Sequence, residues 1–422
     1  MGNANFKPIT CDDLIKILGL TIKRDETNKI ITFLAQLSAY TEDSQINISF
    51  NAPSSTGKSF IPLEIVSLFP EEDVIKLGNC SPTAFYHEQG EYDKATNTIK
   101  VDLSRRILIF LDQPSTQLLE RTRSLLSHDE KIIKAKITDK NQKGGNRTKT
   151  VAIKGFPAVI FCTAGLRLDE QEATRFLLLS PEISYEKIRE AIYEKIKKEV
   201  DSKNYKDITE RDPDRRLLKE RIQAIKEANV KEIKIGSPDL IQELFFKNIK
   251  QPKPRHQRDI ARVISLIKVL ALLNLWFRET DGEAIIANDE DIKEAFKIWG
   301  AISESQELNL PPYVLNLYKD VILEAYSAVK GGLNRQEIMK KHFEVYGRFL
   351  PDWQLRQWII PTLETSGLIT QEPDELDRRK ILIYPTSDHS SFEQERNSET
   401  AGGVETEEEK FAREVDEVFE AK

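Results

Sequence analysis

An eight-residue segment, A-P-S-S-T-G-K-S, constrains this chain more than any other part of its sequence. It runs from Ala52 to Ser59 and follows an alternating segment, INISFN, that predicts a β-strand. A phosphate-binding loop has a first Gly, four free residues and then Gly-Lys-Ser/Thr, and only the first position departs from this pattern here. A strand, a loop and a helix in this order, followed by further short apolar runs, predict an α/β fold with a parallel sheet.

The chemistry of such a loop assigns a role to its residues. Backbone N–H groups cradle the β-phosphate of a nucleotide. Gly57 allows the backbone to approach closely, Lys58 reaches the β- and γ-phosphates, and the Ser59 hydroxyl binds Mg²⁺. ATP and Mg²⁺ are therefore the predicted cofactors. The predicted nucleotide-binding residues are Ala52, Pro53, Ser54, Ser55, Thr56, Gly57, Lys58 and Ser59.

A second apolar run, Ile107–Leu111, ends in a carboxylate at Asp112. This pattern predicts a buried strand whose terminal Asp112 holds the Mg²⁺, although a surface Asp that merely ends a strand is the alternative. The next residue is Gln113, which can orient a water molecule but cannot accept its proton. Hydrolysis is then either slow or assisted by another carboxylate. Glu120 on the following helix is the nearest candidate, and an ordinary solvated helix charge is the alternative for it.

Two further polar residues stand beside short apolar strands. Thr163 ends the run AVIFC, where it is expected to lie between the two predicted phosphate-site strands and to reach the γ-phosphate; a local turn bond is the alternative. Arg175 precedes a short apolar strand. In a ring assembly it is expected to stabilise transition-state charge in the neighbour's site. A local salt bridge with Glu172 or Asp169 is the alternative.

A basic segment lies between the Asp112 and Thr163 strands. Residues 131–154 hold eight basic side chains and one acidic side chain, and Gly144-Gly145 separates two β-prone arms, so a hairpin is predicted. Its charge suits a DNA phosphate backbone, and the lack of aromatic residues argues against base stacking. A solvated charge run is the alternative. The residues expected to contact DNA are Lys140, Lys143, Arg147 and Lys149.

The C-terminal third predicts a winged helix. Two amphipathic segments, Leu333–His342 and Trp353–Gly367, are followed by two strands with a polar turn. Arg356, with Gln354 and Gln357, would line a recognition helix, and Arg379, with Arg378 and Lys380, would lie on the wing. A protein-binding winged helix or a structural cap is the alternative.

Charge and cysteine usage limit the partners of the chain. The net charge of −7 over 422 residues matches the −7 that residues 393–422 carry with eleven acidic and four basic side chains, so the remainder is close to neutral. This tail is expected to be disordered until a protein partner orders it. Three scattered cysteines make a structural zinc site unexpected. The chain shows neither a leader nor an apolar stretch of roughly 18 residues, so we expect a cytoplasmic protein without a membrane partner.

Together these motifs resemble AAA+ proteins of the presensor-1 hairpin group, with the minichromosome maintenance helicase family as the closest match. The resemblance covers roughly residues 20–390 by the order of motifs. APSSTGKS resembles the family's Walker A motif, ILIFLD its Walker B motif, and TRF its Ser-Arg-Phe arginine-finger motif, while the lysine-rich hairpin lies where the family contacts DNA. PRHQRDIARVISLIKVLALL looks like the lid helix. This match implies Arg258 as sensor 2, with Arg255 and Arg262 as rivals.

The chain also departs from that family. Gln113 stands where the family usually has a catalytic Glu, and the large N-terminal DNA-binding domain and zinc ribbon are missing. The resemblance therefore implies a compact helicase-like relative of the kind carried by a mobile genetic element.

The sequence predicts an AAA+ core with a short helical N-terminal segment at 1–185, a helical lid at 186–310, a winged helix at 311–388 and an acidic tail at 389–422. The expected function is an ATP-dependent DNA helicase, translocase or replication-initiator-like motor that forms a homo-oligomeric ring. It would bind single-stranded DNA, and duplex DNA through the winged helix. Two alternatives are an ATP-switched DNA-binding regulator or loader with little hydrolysis, and a non-catalytic DNA-binding adaptor.

Overall fold

The computed structural model describes residues 6–86, 90–139, 147–164, 174–247, 249, 251–329, 331–375 and 377–386. The predicted acidic tail lies outside these residues. The described strands are β1 (Ile48–Asn51), β2 (Val74–Leu77), β3 (Glu91–Asp93), β4 (Thr98–Asp102), β5 (Ile107–Phe110), β6 (Ile132–Asp139), β7 (Arg147–Lys154), β8 (Ala158–Thr163), β9 (Leu177–Leu179), β10 (Ile233–Ile235), β11 (Glu279–Asp281), β12 (Ala284–Ala287), β13 (Ile369–Pro373) and β14 (Ile381–Pro385).

The described helices are α1 (Cys11–Gly19), α2 (Glu26–Leu37), α3 (Phe60–Val66), α4 (Thr116–Leu126), α5 (Tyr185–Val200), α6 (Ser202–Arg211), α7 (Pro213–Ala228), α8 (Pro238–Phe246), α9 (His256–Leu273), α10 (Asp289–Gly300), α11 (Ser303–Glu307), α12 (Pro312–Leu317), α13 (Glu324–Ser327), α14 (Arg335–Tyr346), α15 (Asp352–Gln354) and α16 (Ile360–Thr365). Two π-helical segments, Tyr318–Leu323 and Leu355–Ile359, connect α12 to α13 and α15 to α16.

A five-stranded sheet in the order β2-β5-β8-β1-β9 forms the centre of the fold, and all its strand pairs are parallel. Helices such as α2 and α9 cover one face, and α4 together with strands β4 and β7 of a second sheet covers the other. Along β5, Ile107 and Ile109 belong to one hydrophobic cluster, whereas Leu108 and Phe110 belong to another. This alternation follows from the two-residue period of a strand, and burial on both faces explains why these strands are continuous apolar runs. The predicted α/β fold with a parallel sheet is confirmed.

A second sheet, in the order β3-β4-β7-β6, carries the basic segment. Strands β6 and β7 pair antiparallel from Ile132↔Lys154 to Asp139↔Arg147, as the two predicted arms of a hairpin. Ile133, Ala135 and Ile137 pack against the hydrophobic cluster beneath the central sheet. The alternate residues of β6, including Lys134 and Lys136, are exposed. The hairpin therefore rests on the core through one face and presents lysines on the other.

The predicted boundary between core and lid at residue 185 does not separate two hydrophobic cores. One cluster of buried residues runs from Cys11 in α1 to Ile302 beyond α10, and it includes one face of the central sheet. Helix α9 packs on α2, and α7 packs on α1. The predicted lid is also not purely helical, because β10, β12 and β11 form a three-stranded sheet within it. Strands of only three or four residues are too short to show a periodic pattern in the sequence.

The C-terminal residues have a hydrophobic cluster of their own, from Leu310 to Ile383. Helical segments 312–327, 335–346 and 352–365 are followed by the antiparallel pair β13 and β14. Leu333 bridges to Ile383 and joins the start of α14 to this hairpin. We call residues 310–386 the C-terminal unit.

The structure sets the bounds of two helices that the motifs indicate. The helix after the phosphate loop begins at Phe60. The helix within PRHQRDIARVISLIKVLALL spans His256–Leu273 and is capped by Asn274, after which a short 3-10 turn leads into β11. No helix among the described residues has the length and apolarity needed to cross a membrane.

We predict that a buried ion pair in the shared core is needed for stability. The Arg278 guanidinium donates to both carboxylate oxygens of Asp291 at 2.7 Å, and both side chains are buried. The same carboxylate accepts the Asn288 N–H in the capping box that begins α10. Arg278→Met leaves a buried charge without its partner, so the free energy of unfolding should fall by about 3–5 kcal/mol in denaturant titrations.

The exposed pair Lys234–Asp281 provides the control for this prediction. Lys234→Met should leave the unfolding midpoint nearly unchanged. The double variant Arg278→Met/Asp291→Leu should recover most of the loss except about 1 kcal/mol for the helix cap. An Arg278→Met protein as stable as the parent would show that the pair does not stabilise the core.

Candidate functional site

The phosphate loop begins where β1 ends. The Ala52 N–H donates to the carbonyl oxygen of Thr163 at 3.3 Å, which extends the pairing of β1 with β8 by one residue. The backbone is left-handed at Ser55, with φ of 67°, and at Gly57, with φ of 93°. These two reversals make the chain turn tightly before α3 begins at Phe60.

The loop fits a bound polyphosphate. Among the described residues, none accepts a hydrogen bond from the backbone N–H groups of Ser55, Thr56, Gly57, Lys58 or Ser59. A Cβ atom added to Gly57 would meet no atom within 4 Å, so the space beside this backbone is open. Unpaired N–H groups around an open concave turn are the donor set that binds phosphate oxygens in such loops.

Lys58 lies folded over the loop. Its Nζ donates to the Pro53 carbonyl oxygen at 3.4 Å. Burial lowers the pKa of the ammonium group, and the nearby Arg348 lowers it further, while Asp112 acts in the opposite direction. The lysine is therefore beside both an acidic and a basic side chain, and a polyphosphate bound there would replace the solvation that burial removes.

The ends of the neighbouring strands bring the other predicted residues to the same edge of the sheet. Strand β8 lies between β1 and β5. The Thr163 hydroxyl donates to Oε1 of Gln113 at 3.1 Å, although 50 residues separate them in the chain. The Asp112 carboxylate accepts the N–H of Gln113 at 2.8 Å. Thr163 is buried, whereas Asp112 and Gln113 are exposed. Phosphates bound in the loop would therefore have Asp112, Gln113 and Thr163 as neighbours.

Two contacts to the loop have no sequence signal. The Cys162 thiol donates to the carbonyl oxygen of Lys58 at 3.4 Å, and burial raises its pKa to about 11, so it stays a neutral thiol near pH 7. Arg348 of the C-terminal unit donates from Nη1 to the carbonyl oxygen of Ser54 at 3.0 Å. Because 294 residues separate Arg348 from Ser54, only the tertiary structure reveals this contact.

The predicted arginines lie at the opposite edge of the central sheet. Arg175 precedes β9, and the Leu177 N–H donates to the carbonyl oxygen of Asn47, just before β1 begins. Since β1 has four residues, its first and last residues are about 10 Å apart at a rise of roughly 3.3 Å per residue. Arg175, Arg258 and Arg262 line one cleft there, with a volume of about 130 Å³. They therefore lie away from the phosphate loop of their own chain.

The contacts of α9 distinguish the three arginines at its start. Arg255 and Arg262 form ion pairs with Asp259 at 3.0 Å and 3.2 Å, and Arg262 also donates to two backbone carbonyl oxygens. Burial lowers the pKa of Arg262 to about 10. Arg258 is exposed and donates to the Thr174 hydroxyl. Of the three, Arg258 has the guanidinium group most accessible from outside. Arg175 donates to the Ser127 hydroxyl at 2.8 Å.

The remaining predicted residues fall on the surface or outside the described residues. Glu120 is exposed on α4. Lys140 and Lys143 lie outside the described residues, Arg147 is described only by its backbone in β7, and Lys149 is half-buried in the same strand. On the C-terminal unit, Arg356 and Arg379 are exposed, and Arg379 forms an ion pair with Asp377 at 3.0 Å.

Comparison with known proteins agrees with this geometry. The model of one protein family, described as the MTBMA_p00010 P-loop domain, matches residues 9–228. The match begins before α1 and ends with α7, so it extends past residue 185 into the helices that share the core with the central sheet. No curated protein matches the chain. Because the match covers more than half of the 422 residues, the chain belongs to the MTBMA_p00010 P-loop domain family and is a P-loop nucleotide-binding protein.

Proposed function

We propose that this protein is an AAA+ ATPase that couples ATP hydrolysis to the binding and remodelling of DNA, as a helicase, translocase or replication-initiator-like motor. The observation that carries the proposal is the meeting of Lys58, Asp112, Gln113 and Thr163 at one edge of the sheet, at the ends of three adjacent strands. This arrangement is the one that phosphoryl transfer from a nucleoside triphosphate requires, since its catalysis rests on positioning and charge.

The residues at this edge suit ATP with Mg²⁺. The N–H groups of residues 55–59 would hold the phosphates, with Lys58 on the β- and γ-phosphates. Ser59 and Asp112 would hold Mg²⁺, which neutralises negative charge on the phosphates when it is bound. Thr163 would reach the γ-phosphate between them.

Gln113 decides between two versions of this function. Its hydrogen bond with Thr163 orients the side-chain amide, and an oriented amide can position an attacking water. An amide cannot take the proton, however, and Glu120 on α4 is exposed to solvent. This observation favours, as a second candidate, an ATP-switched DNA-binding regulator or loader with little hydrolysis. ATP turnover with and without single-stranded DNA distinguishes it from a motor.

The arginine cleft supports a ring assembly. Arg175 and Arg258 would act on the phosphates of a neighbouring subunit, because the length of β1 separates them from their own loop. An arginine supplied in this way stabilises charge in the transition state.

The β6–β7 hairpin and the C-terminal unit supply the proposed DNA contacts. Lys134 and Lys136 are exposed on β6, and the basic residues predicted to contact DNA, Lys140, Lys143, Arg147 and Lys149, follow in the sequence. Arg356 and Arg379 would bind duplex DNA if the C-terminal unit acts as a winged helix.

The first prediction concerns the loop lysine. Lys58→Ala removes a cation from the β- and γ-phosphates, so ATP affinity should fall by about 10- to 100-fold in equilibrium titrations. Lys203→Ala, which removes an exposed lysine from α6, should bind ATP as the parent does. Unchanged ATP affinity in the Lys58→Ala protein would refute the proposed phosphate site.

The second prediction concerns the arginine cleft. Arg175→Ala should bind ATP normally and hydrolyse it about 10³-fold more slowly, because a transition-state contact is lost. Mixing this variant with Lys58→Ala should restore part of the turnover. In the mixed ring, an intact loop of one subunit meets an intact Arg175 of its neighbour. Failure of this rescue, together with a monomeric protein in ATP, would argue against a ring.

The third prediction concerns the hairpin. Changing Lys140, Lys143, Arg147 and Lys149 to Ala should weaken single-stranded DNA binding about equally for all sequences. The slope of log affinity against log salt should drop by about 3, at roughly 0.7 per lost phosphate contact. ATP binding should persist, and stimulation of ATP turnover by DNA should be lost.

Two control proteins test whether this effect is local. Replacing the exposed residues Lys195, Lys198, Lys203 and Lys206 by Ala removes the same charge from α5 and α6 and should leave the salt slope unchanged. Arg356→Ala/Arg379→Ala should alter duplex binding but not the stimulation by single strands. If the hairpin variant binds single strands like the parent at every salt concentration, the motor loses its proposed DNA contact and the regulator is preferred.

A further inference from the structure

The C-terminal unit reaches the phosphate loop through one arginine. The Arg348 side chain donates to the Ser54 carbonyl oxygen at 3.0 Å and remains exposed to solvent. Arg348 comes two residues after the end of α14 at Tyr346, and Gly347 between them caps the helix with a left-handed φ of 61°. Glycine adopts this conformation without steric cost and turns the chain sharply, so Arg348 leaves the helix axis and lies over the loop.

A buried histidine holds the backbone of Arg348 in this position. The carbonyl oxygen of Arg348 lies 2.9 Å from Nδ1 of His342, and Nε2 of the same ring lies 3.0 Å from the Tyr313 hydroxyl. Since a carbonyl oxygen can only accept, Nδ1 carries the proton, and Nε2 accepts from Tyr313. Burial lowers the pKa of His342, which favours this neutral form. His342 is 1% exposed and Tyr313 is 5% exposed, so the network is shielded from water.

Tyr313 also extends this hydrogen-bond network to the chain just before the phosphate loop. The Tyr313 N–H donates to the Ser180 hydroxyl at 2.9 Å, and this hydroxyl donates to the carbonyl oxygen of Asn51 at 2.6 Å. Asn51 is the last residue of β1, immediately before the loop. The C-terminal unit is therefore linked to Asn51 through Ser180 and contacts Ser54 directly through Arg348, on both sides of the first turn of the loop.

The charges at the loop indicate what Arg348 is for. Arg348 lies close enough to Lys58 to lower the pKa of its ammonium group, which means that the two cations repel each other. Asp112 acts on Lys58 in the opposite direction and more strongly, and burial of the ammonium group is the largest cause that keeps the pKa of Lys58 below its ordinary value. A polyphosphate between the two side chains would turn this unfavourable contact into two charge-assisted hydrogen bonds.

We propose that Arg348 is a second cationic ligand for the phosphates of the bound nucleotide, supplied by the C-terminal unit. This inference rests on the proposed nucleotide-binding function of the loop. It has a thermodynamic consequence, because a nucleotide that binds Arg348 must also stabilise the docked position of the C-terminal unit. By linkage, docking raises nucleotide affinity by the same factor by which nucleotide favours docking.

Three substitutions at Arg348 separate a phosphate ligand from a residue that only holds the loop. Arg348→Ala removes both the charge and the donor, Arg348→Gln keeps a donor for Ser54 without the charge, and Arg348→Lys keeps the charge. We expect ATP affinity to fall by about 10-fold or more for the Ala and Gln variants, as for loss of one charged hydrogen bond, and to be largely retained by the Lys variant. Lys340→Ala, exposed on α14 in the same unit, is the control and should bind ATP like the parent.

Docking is measured on the same full-length proteins by amide hydrogen exchange of residues 311–317, which include the Tyr313 N–H bonded to Ser180. ATP should slow this exchange in the parent and in the Lys340→Ala protein. The slowing should be lost in the Ala and Gln variants of Arg348, and it should be absent from Lys58→Ala at ATP concentrations that this variant does not bind. Equal unfolding midpoints without nucleotide check that the variants are folded.

The outcomes distinguish this inference from the proposed function. If the parent does not bind ATP, both are overturned. If Lys58→Ala loses ATP binding but Arg348→Ala binds like the parent, only the role of Arg348 is overturned. If Arg348→Gln restores parental affinity and Arg348→Lys does not, the arginine merely supports the Ser54 carbonyl and is not a phosphate ligand. Retained affinity in the Lys variant, with loss in the Gln variant and loss of ATP-dependent protection, supports the proposal.

Discussion

The parallel pairing of β1 and β5 with the strand between them, β8, is the constraint on which the rest of this structure depends. Asn51 pairs with Thr163 and Phe110 pairs with Phe161, so the three strands end at one edge of the sheet. The loops that follow therefore start from fixed positions on a support that is buried on both faces. A shift of one residue in this register would turn every side chain of a strand to the opposite face, which the two hydrophobic clusters forbid.

The two edges of this sheet have different chemistry. The loop N–H groups, which donate to no acceptor in the described part of the chain, lie at one edge with Asp112 and Gln113, and the arginines around Thr174 lie at the other. The loop groups and the arginines are separated by the length of the strands, because each strand runs from one of these edges of the sheet to the other. In the proposed assembly these groups would be the two halves of a composite phosphate site, and a single chain cannot bring its own two halves together. This separation is the physical basis for proposing an assembly in which the edges of adjacent subunits meet.

The C-terminal unit joins the site in a different way from the helices that precede it. Helices α7, α9 and α10 share a hydrophobic core with the central sheet, so they cannot leave it without exposing apolar surface. The C-terminal unit has its own core, and polar bonds from Tyr313 and Arg348 connect it to the chain around the phosphate loop. Hydrogen bonds between units with separate cores can be replaced by hydrogen bonds to water at little net free energy. A bound ligand can therefore shift the balance between the docked and undocked positions of such a unit.

The sequence by itself determined the phosphate loop, the strands beside it, the hairpin arms, and two helices and the final hairpin of the C-terminal unit, because local spacing and turn chemistry specify each of them. Only the tertiary structure decided that the predicted lid shares one core with the sheet, that Arg258 is the accessible arginine of its helix, and that Arg348 contacts Ser54. Hydrophobic periodicity shows which face of an element is buried, but it does not show which distant segment covers that face. A hydrogen bond across 294 residues depends on how whole units pack, so it leaves no local pattern in the chain.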